Sequence, residues 1–306
     1  MNTSVTPVFA VRTADYRYPD GTYALRGVSF AARAGDALAV LGANGSGKST
    51  LLRLLDGLAV ATEGEVVAFG ERLEPRRLEN ENWAYSFRRR VGFVFQNADA
   101  QLFCATVGDE LRFGPVQLGW PQDRVEKRAR ELAMLFELEG LLDRPPHRLS
   151  GGEKRRVALA AVMAVDPEVL LLDEPTGGLD PRSQEWLADF LARLRDEGRT
   201  LVVATHDLEL AARVARRALV LDEGHRVAAD GAVGAVLTDR KLLLAVNLIH
   251  EHFHRHDGGV VHAHEHAHGG EHEHEHEHDR EHEHQREDDH HLHQREHGHD
   301  DREQAF

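Results

Sequence analysis

Cysteine is nearly absent: Cys104 stands alone among 306 residues, so no disulfide can form within the chain. That suits a reducing compartment, and Cys104 itself reads as a small residue of a core. No uninterrupted apolar run approaches the ~18 residues that a bilayer-crossing helix requires, and the first residues lack the apolar centre of a signal peptide. A transport role would therefore have to borrow its membrane span from another chain. Positive charge is also short, with 37 Lys and Arg against 52 Asp and Glu and a formal net charge of −15. The deficit is local: residues 250–306 carry 17 acids and 5 arginines, which leaves only −3 for the remainder. With 306 residues, 41% of them hydrophobic, the chain can fill the core of one large domain or two small ones.

What is present begins with residues 42–49, Gly-Ala-Asn-Gly-Ser-Gly-Lys-Ser. A triphosphate is densely anionic, and a loop of inward-pointing backbone N–H groups continued by a helix N-terminus holds it well. Gly42, Gly45 and Gly47 supply the dihedral freedom and keep Cβ atoms away from the phosphates, while Asn44, Ser46 and Thr50 complete the lining. Lys48 brings a full charge to the β- and γ-phosphates, and the Ser49 hydroxyl is a ligand for Mg2+. Ala37-Leu38-Ala39-Val40-Leu41 upstream reads as a buried strand and Thr50 to Leu55 downstream as a helix, so the motif has its strand-loop-helix setting.

About a hundred residues later come Leu149-Ser150-Gly151-Gly152-Glu153 and then Leu170-Leu171-Leu172-Asp173-Glu174-Pro175. With these strings the chain resembles the ATP-binding cassette (ABC) family over roughly residues 5–245. The resemblance implies an α/β P-loop NTPase fold with a RecA-like core, an N-terminal antiparallel β subdomain and a helical subdomain near 97–165. It also implies that Ser150, Gly151 and Gly152 serve the ATP held by a partner subunit, a paralogue or a second copy. Asp173 matches the aspartate that holds Mg2+, and Glu174 the group that orients or deprotonates the attacking water. Gln96 matches the glutamine that touches Mg2+ and that water, His206 the histidine at the γ-phosphate, and Asp180 a residue that faces across the dimer. Tyr18 stands where the family stacks an aromatic on adenine, with Tyr16 as the alternative.

The segment Val94 to Phe103, with Thr106-Val107 and Phe113-Gly114-Pro115, narrows the resemblance to the ATPases of energy-coupling factor importers, including the cobalt and nickel branch. Gln101, Leu102 and Phe103 would then line a groove for the transmembrane scaffold and its substrate-binding membrane subunits. The expected place is the cytoplasmic face of the membrane, and no nucleic-acid partner is expected. A DNA-repair ATPase of this family would need a long coiled coil, for which the stretch between Lys48 and Ser150 leaves no room. A translation-factor member would carry two cassettes, and a metal store would not need the ATPase motifs. A zinc or a vitamin importer remains an alternative cargo.

Along the chain, residues 5–36 and 64–70 read as antiparallel strands, 71–90 as a charged loop, and 97–165 as helical. Strands at 169–172, 201–204 and 219–221 then alternate with helices near 182–196 and 207–216, the pattern of a parallel sheet. A short apolar helix over 241–249 closes an ATPase domain, 1–249. Residues 250–306 form a second unit with 19 of the 22 histidines. Lacking an apolar pattern, this tail is expected to be disordered without metal. His272, His274, His276 and His278 alternate with glutamates and are candidate ligands for Ni2+, Co2+ or Zn2+.

Overall fold

The computed structural model describes residues 6–255 and 261–267. The chain opens with β1 (Phe9–Arg17), β2 (Tyr23–Ala32) and β3 (Ala37–Leu41), then α1 (Lys48–Leu55), β4 (Glu63–Ala68) and β5 (Glu71–Arg72). The helical stretch holds α2 (Pro75–Leu78), α3 (Glu81–Arg90), β6 (Val91–Val94), α4 (Val107–Gln117), α5 (Gln122–Leu135) and α6 (Gly151–Met163). An alternating run follows: β7 (Val169–Asp173), α7 (Pro181–Asp196), β8 (Thr200–Thr205), α8 (Leu208–Val214) and β9 (Arg217–Leu221). The last elements are β10 (Val227–Ala232), α9 (Val233–Thr238), α10 (Arg240–Ala245), β11 (Ile249–Arg255) and β12 (Val261–Ala267).

One sheet has the order β2-β1-β4-β5 and is antiparallel throughout; the larger runs β10-β9-β3-β8-β7-β6, parallel except at β10. Apolar β3, β7 and β8 are buried at every residue, as strands covered on both faces must be. Their alternation divides the core. Leu38, Val40, Leu171 and Val202 pack toward α1 and the antiparallel sheet, whereas Leu170, Leu172, Leu201 and Val203 pack toward α6, α7 and the helical subdomain. The carboxyl ends of β3, β7 and β8 thereby converge on one edge, where open α/β sheets bind ligands.

The stretch 71–90 is not the loop its charge suggests. Asn80 caps α3 by accepting from Trp83 N at 3.0 Å, and Trp83 stacks on the buried Phe87 at 5.1 Å. Apolar Trp83, Ala84 and Phe87 recur at helical spacing, and this single seam outweighs the exposed Arg and Glu around it. Among the described residues no helix is long and apolar enough to cross a membrane.

The end of the chain also departs from expectation. The helix foreseen over 241–249 stops at Ala245, and Ile249 already belongs to a strand. β11 and β12 pair antiparallel from Ile249↔Ala267 to Arg255↔Val261. Histidine alternating with other residues has a period of two, which is also the period of a strand. His272, His274, His276 and His278 lie outside the described residues.

Candidate functional site

β3 delivers the glycine-rich loop and α1 carries it away. Gly42, Gly45 and Gly47 have φ of +155°, +85° and +107°, the last serving as the left-handed N-cap of α1. A Cβ on Gly47 would lie 2.2 Å from Ala24 O, and one on Gly42 would lie 2.4 Å from Ser46 Oγ and 2.7 Å from Leu221 O. At those two positions the protein's own atoms exclude a side chain, whereas a Cβ on Gly45 would meet open space. The Ser46 hydroxyl is buried without a hydrogen-bond partner. A buried polar group of that kind is costly to leave unsatisfied. Its place in an anion-binding loop fits a phosphate ligand. Lys48 Nζ donates to Gly42 O at 2.8 Å and to Ala43 O at 3.2 Å, which curls the side chain over the loop.

The end of β7 supplies the acids. Ser49 Oγ donates to Asp173 Oδ1 at 2.9 Å, so a hydroxyl and a carboxylate stand together as Mg2+ calls for. Burial raises the Asp173 carboxyl above its ordinary range against the opposing Ser49 bond, and the neighbouring Glu174 charge adds to the rise. A divalent cation would reverse that preference. Glu174 has a φ of +42°, a left-handed backbone rare for a residue with a side chain and frequent at functional sites. Its Oε2 receives Thr205 Oγ1 at 3.2 Å and lies 3.0 Å from His206 Nδ1; its Oε1 meets Lys48 Nζ at 3.1 Å. Burial alone would raise Glu174, yet the His206 bond and the Lys48 charge outweigh it and hold the carboxyl low. The same bond raises His206.

Of these groups Lys48, Ser49 and Glu174 border a cavity of about 610 Å³, lined also by Tyr18, Asn44, Gly45, Gly47, Thr50 and Gln96, with Tyr23, Arg53 and His225. Tyr18 OH sits 3.3 Å from Thr50 Oγ1, and its ring meets Tyr16 edge-on, leaving Tyr18 at the rim and Tyr16 against the core. Tyr23 has Arg17 and Arg26 over its ring at 4.2 and 4.1 Å, so it is already engaged.

Ser150, Gly151, Gly152 and Asp180 are not among the residues lining this cavity. Ser150 caps α6 in a reciprocal box with Glu153, which accepts from Ser150 N at 2.7 Å and Ser150 Oγ at 2.8 Å. Gly152 packs so tightly on α7 that a Cβ would fall 2.4 Å from Ser183 Oγ, and Asp180 caps that helix. Gly152 and Asp180 border a different hollow of about 390 Å³. Gly152 and Asp180 therefore border a depression separate from the one that Lys48, Ser49 and Glu174 line.

Arg155 was not singled out in the sequence. It is buried on α6, and its guanidinium donates to Phe95 O at 2.6 Å and Gln96 O at 2.5 Å, tying the glutamine segment to the helix that begins at Ser150. An arginine within the apolar stripe of α6, one turn from Ala158 and Leu159, was the available signal. Gln101, Leu102 and Phe103 do not share one face. Gln101 is half-buried, accepts from Phe95 N at 3.1 Å and donates to Ala158 O at 3.3 Å, and Leu102 packs on the core. Phe103 alone points outward, 67% exposed, edge-on to Phe113 at 4.8 Å.

The ABC transporter family profile matches residues 25–177, half of the chain. The chain belongs to the ABC transporter family. Its ABC cassette is 50% identical over 248 residues to the nickel import ATP-binding protein NikO of Rhodobacter capsulatus, covering 80% of this chain and 97% of that protein. The fold is similar to cbiO1 of Clostridium perfringens, part of the ABC transporter complex cbiONQ, with a TM-score of 0.68 and 34% identity over 79% of this chain and 95% of the other. It is also similar to the dimeric bacterial cassette MJ0796, with a TM-score of 0.66 and 30% identity over 74% and 98% of the two chains. The chain is accordingly an ABC-type transport ATPase, with an antiparallel β subdomain beside a mixed sheet and helices.

Proposed function

We propose that this chain is the ATP-hydrolysing subunit of an energy-coupling factor importer for a divalent metal, cobalt or nickel, at the cytoplasmic face of a membrane. The observation that carries the reading is the split of the motif set. Lys48, Ser49 and Glu174 line one cavity, with Asp173 and His206 bonded to Ser49 and Glu174, while Gly152 and Asp180 border another. A second copy or a paralogue would complete each site of a cassette so divided, and the similar MJ0796 cassette is dimeric.

In this reading Ser49 and Asp173, with Gln96, would hold Mg2+, which when bound would neutralise phosphate charge. The loop from Gly42 to Thr50 cradles the triphosphate through its N–H groups, and Tyr18 stacks on the base. Lys48, held between two carbonyl oxygens and Glu174, turns to the β- and γ-phosphates as they enter. Glu174, ionised and fixed by Thr205 and His206, accepts the proton of the attacking water. His206 carries hydrogen-bonding capacity to the γ-phosphate side. Ser150, Gly151 and Gly152 present N–H groups at the start of α6 to the partner's nucleotide.

Phe103 and Phe113, exposed beside the segment that Arg155 ties to α6, are the surface for the transmembrane scaffold. The tail histidines His272, His274, His276 and His278 buffer the metal on the cytoplasmic side. Nickel is favoured as cargo by the likeness to NikO. The test is affinity purification from membranes followed by uptake of radioactive nickel and cobalt with the recovered membrane partners. Copurification of a transmembrane scaffold with ATP-dependent uptake of either metal supports the reading. Uptake of zinc or a vitamin alone would reassign the cargo, and absence of any membrane partner would refute the transport role.

A further inference from the structure

The turn between β9 and β10, residues 222–226, belongs to none of the sequence motifs, yet it reaches the cavity around Lys48 through His225. There His225 stands with Thr22, Tyr23 and Ala24, from the end of the β1–β2 turn and the start of β2. Its main chain is held on two sides. His225 N donates to Asp222 O at 3.0 Å, and Arg26 N on β2 donates to His225 O at 2.8 Å. Its φ is +64°. Glycine adopts that backbone freely, so the turn itself does not call for an imidazole.

The ring is directed at the glycine-rich loop, with His225 Nδ1 3.3 Å from Ser46 O. A carbonyl oxygen only accepts, so Nδ1 carries the proton of this bond, and in the neutral ring Nε2 is left with a lone pair. Nε2 has no hydrogen-bond partner among the described residues. Ser46 O belongs to the residue just before Gly47, the N-cap of α1, so the same ring steadies the point where the loop becomes helix.

We infer that His225 is a recognition residue of the nucleotide site: Nδ1–H holds the loop through Ser46 O, and Nε2 accepts a hydrogen bond from an N–H or O–H group of the nucleoside. The inference rests on the reading of this cavity as the ATP site. The chemistry selects the nucleoside over the phosphates. Ionised phosphate oxygens are acceptors, and a lone pair on Nε2 gives them nothing to accept. The ribose hydroxyls and the 6-amine of adenine are the donors that ATP offers, whereas guanine carries a carbonyl oxygen in place of that amine. The neighbouring lining agrees, since Thr22, Tyr23 and Ala24 adjoin the Tyr18 rim and lie outside the loop that carries Lys48 and Ser49.

The experiment is calorimetric titration of the full-length protein with the Mg2+ complexes of ATP, inosine triphosphate, 2′-deoxyATP and 3′-deoxyATP. Inosine triphosphate replaces the 6-amine by a carbonyl, and the other two each lack one hydroxyl. In the wild type one analogue should bind about three- to tenfold more weakly than ATP, the worth of one net hydrogen bond, and its identity names the donor. His225→Gln keeps an N–H for Ser46 O and an acceptor, and should retain the preference. His225→Phe keeps the ring shape without either nitrogen, and His225→Ala repeats the comparison without bulk in the cavity; both should bind that analogue and ATP alike. A preference that survives in these two variants, or its absence in the wild type, overturns the inference. Equal weakening of all four nucleotides with the preference intact overturns it too, since His225 would then only hold the loop. Lys48→Ala tests the reading beneath: undiminished ATP binding there would remove the nucleotide from this cavity and the inference with it.

Discussion

Replacing Glu174 by Gln tests the proposed chemistry most directly, because the change keeps shape and removes one charge. The amide oxygen still accepts from Thr205 and lies beside His206, so the local geometry has reason to persist. What disappears is the proton acceptor. General-base assistance is worth about 10²- to 10⁴-fold, or about 3–5 kcal/mol of barrier, and hydrolysis should fall by that much. A second effect comes from Lys48. At 3.1 Å the Lys48–Glu174 attraction is about 5 kcal/mol for an effective dielectric constant near 20, an upper figure for what an entering phosphate must compete with. Lys48 keeps its two carbonyl partners in the variant, so its charge stays solvated by the protein while losing its internal counter-ion. MgATP should therefore bind at least tenfold more tightly to Glu174→Gln, about 1.4 kcal/mol of that attraction. The assays are phosphate release at saturating MgATP and nucleotide titration by fluorescence or calorimetry. Hydrolysis within tenfold of the wild type would show that another group takes the proton. Slower hydrolysis accompanied by weaker binding would refute the competition between carboxylate and phosphate for Lys48.

Gly47→Ala forces a Cβ to 2.2 Å from Ala24 O at a φ of +107°, so it should cost about 2–4 kcal/mol of stability and abolish ATP binding; an unchanged melting temperature would contradict the crowding. Arg155→Lys keeps the charge but cannot span both Phe95 O and Gln96 O, and hydrolysis should drop at least fivefold with little change in ATP affinity, as steady-state kinetics beside a binding titration would reveal. Asp56, at the C-terminal end of α1, is pushed by burial to about 7 from 3.8 despite the charge of Arg88. The folded chain therefore holds more protons than the unfolded one between about pH 4 and 7, and this group's contribution to stability declines across that window as pH rises. Asp56→Asn should remove that slope in melting temperatures measured from pH 4 to 8, and parallel curves for the two proteins would exclude the effect. Deleting residues 271–306 should leave ATPase activity within twofold of the full chain, measured as phosphate release; its loss would make the tail part of the engine.

Much of the cavity around Lys48 and Glu174 is legible in the sequence because its lining is local. Gly42 to Thr50 are contiguous, and Asp173-Glu174 and Thr205-His206 each end an apolar strand, so a strand edge gathers them without knowledge of packing. Three features were not readable for identifiable reasons. The seam of Trp83, Ala84 and Phe87 is short and embedded in charge, which hid α3. Gln101 was grouped with Leu102 and Phe103 by adjacency, but its amide meets Phe95 N and Ala158 O, and only a tertiary fold specifies a contact 57 residues away. The reason for Gly42 and Gly47 also changed: Leu221 O and Ala24 O, both remote in sequence, exclude a side chain there.

The placement of Ser150 and Gly152 away from Lys48 has an economic side for a cell. Under the two-chain reading a solitary copy owns a fuel inlet and a spark that never face one another, so surplus subunits idle. Combustion begins only when encounter, set by abundance and by recruitment to a shared scaffold, brings a neighbour's corner into place.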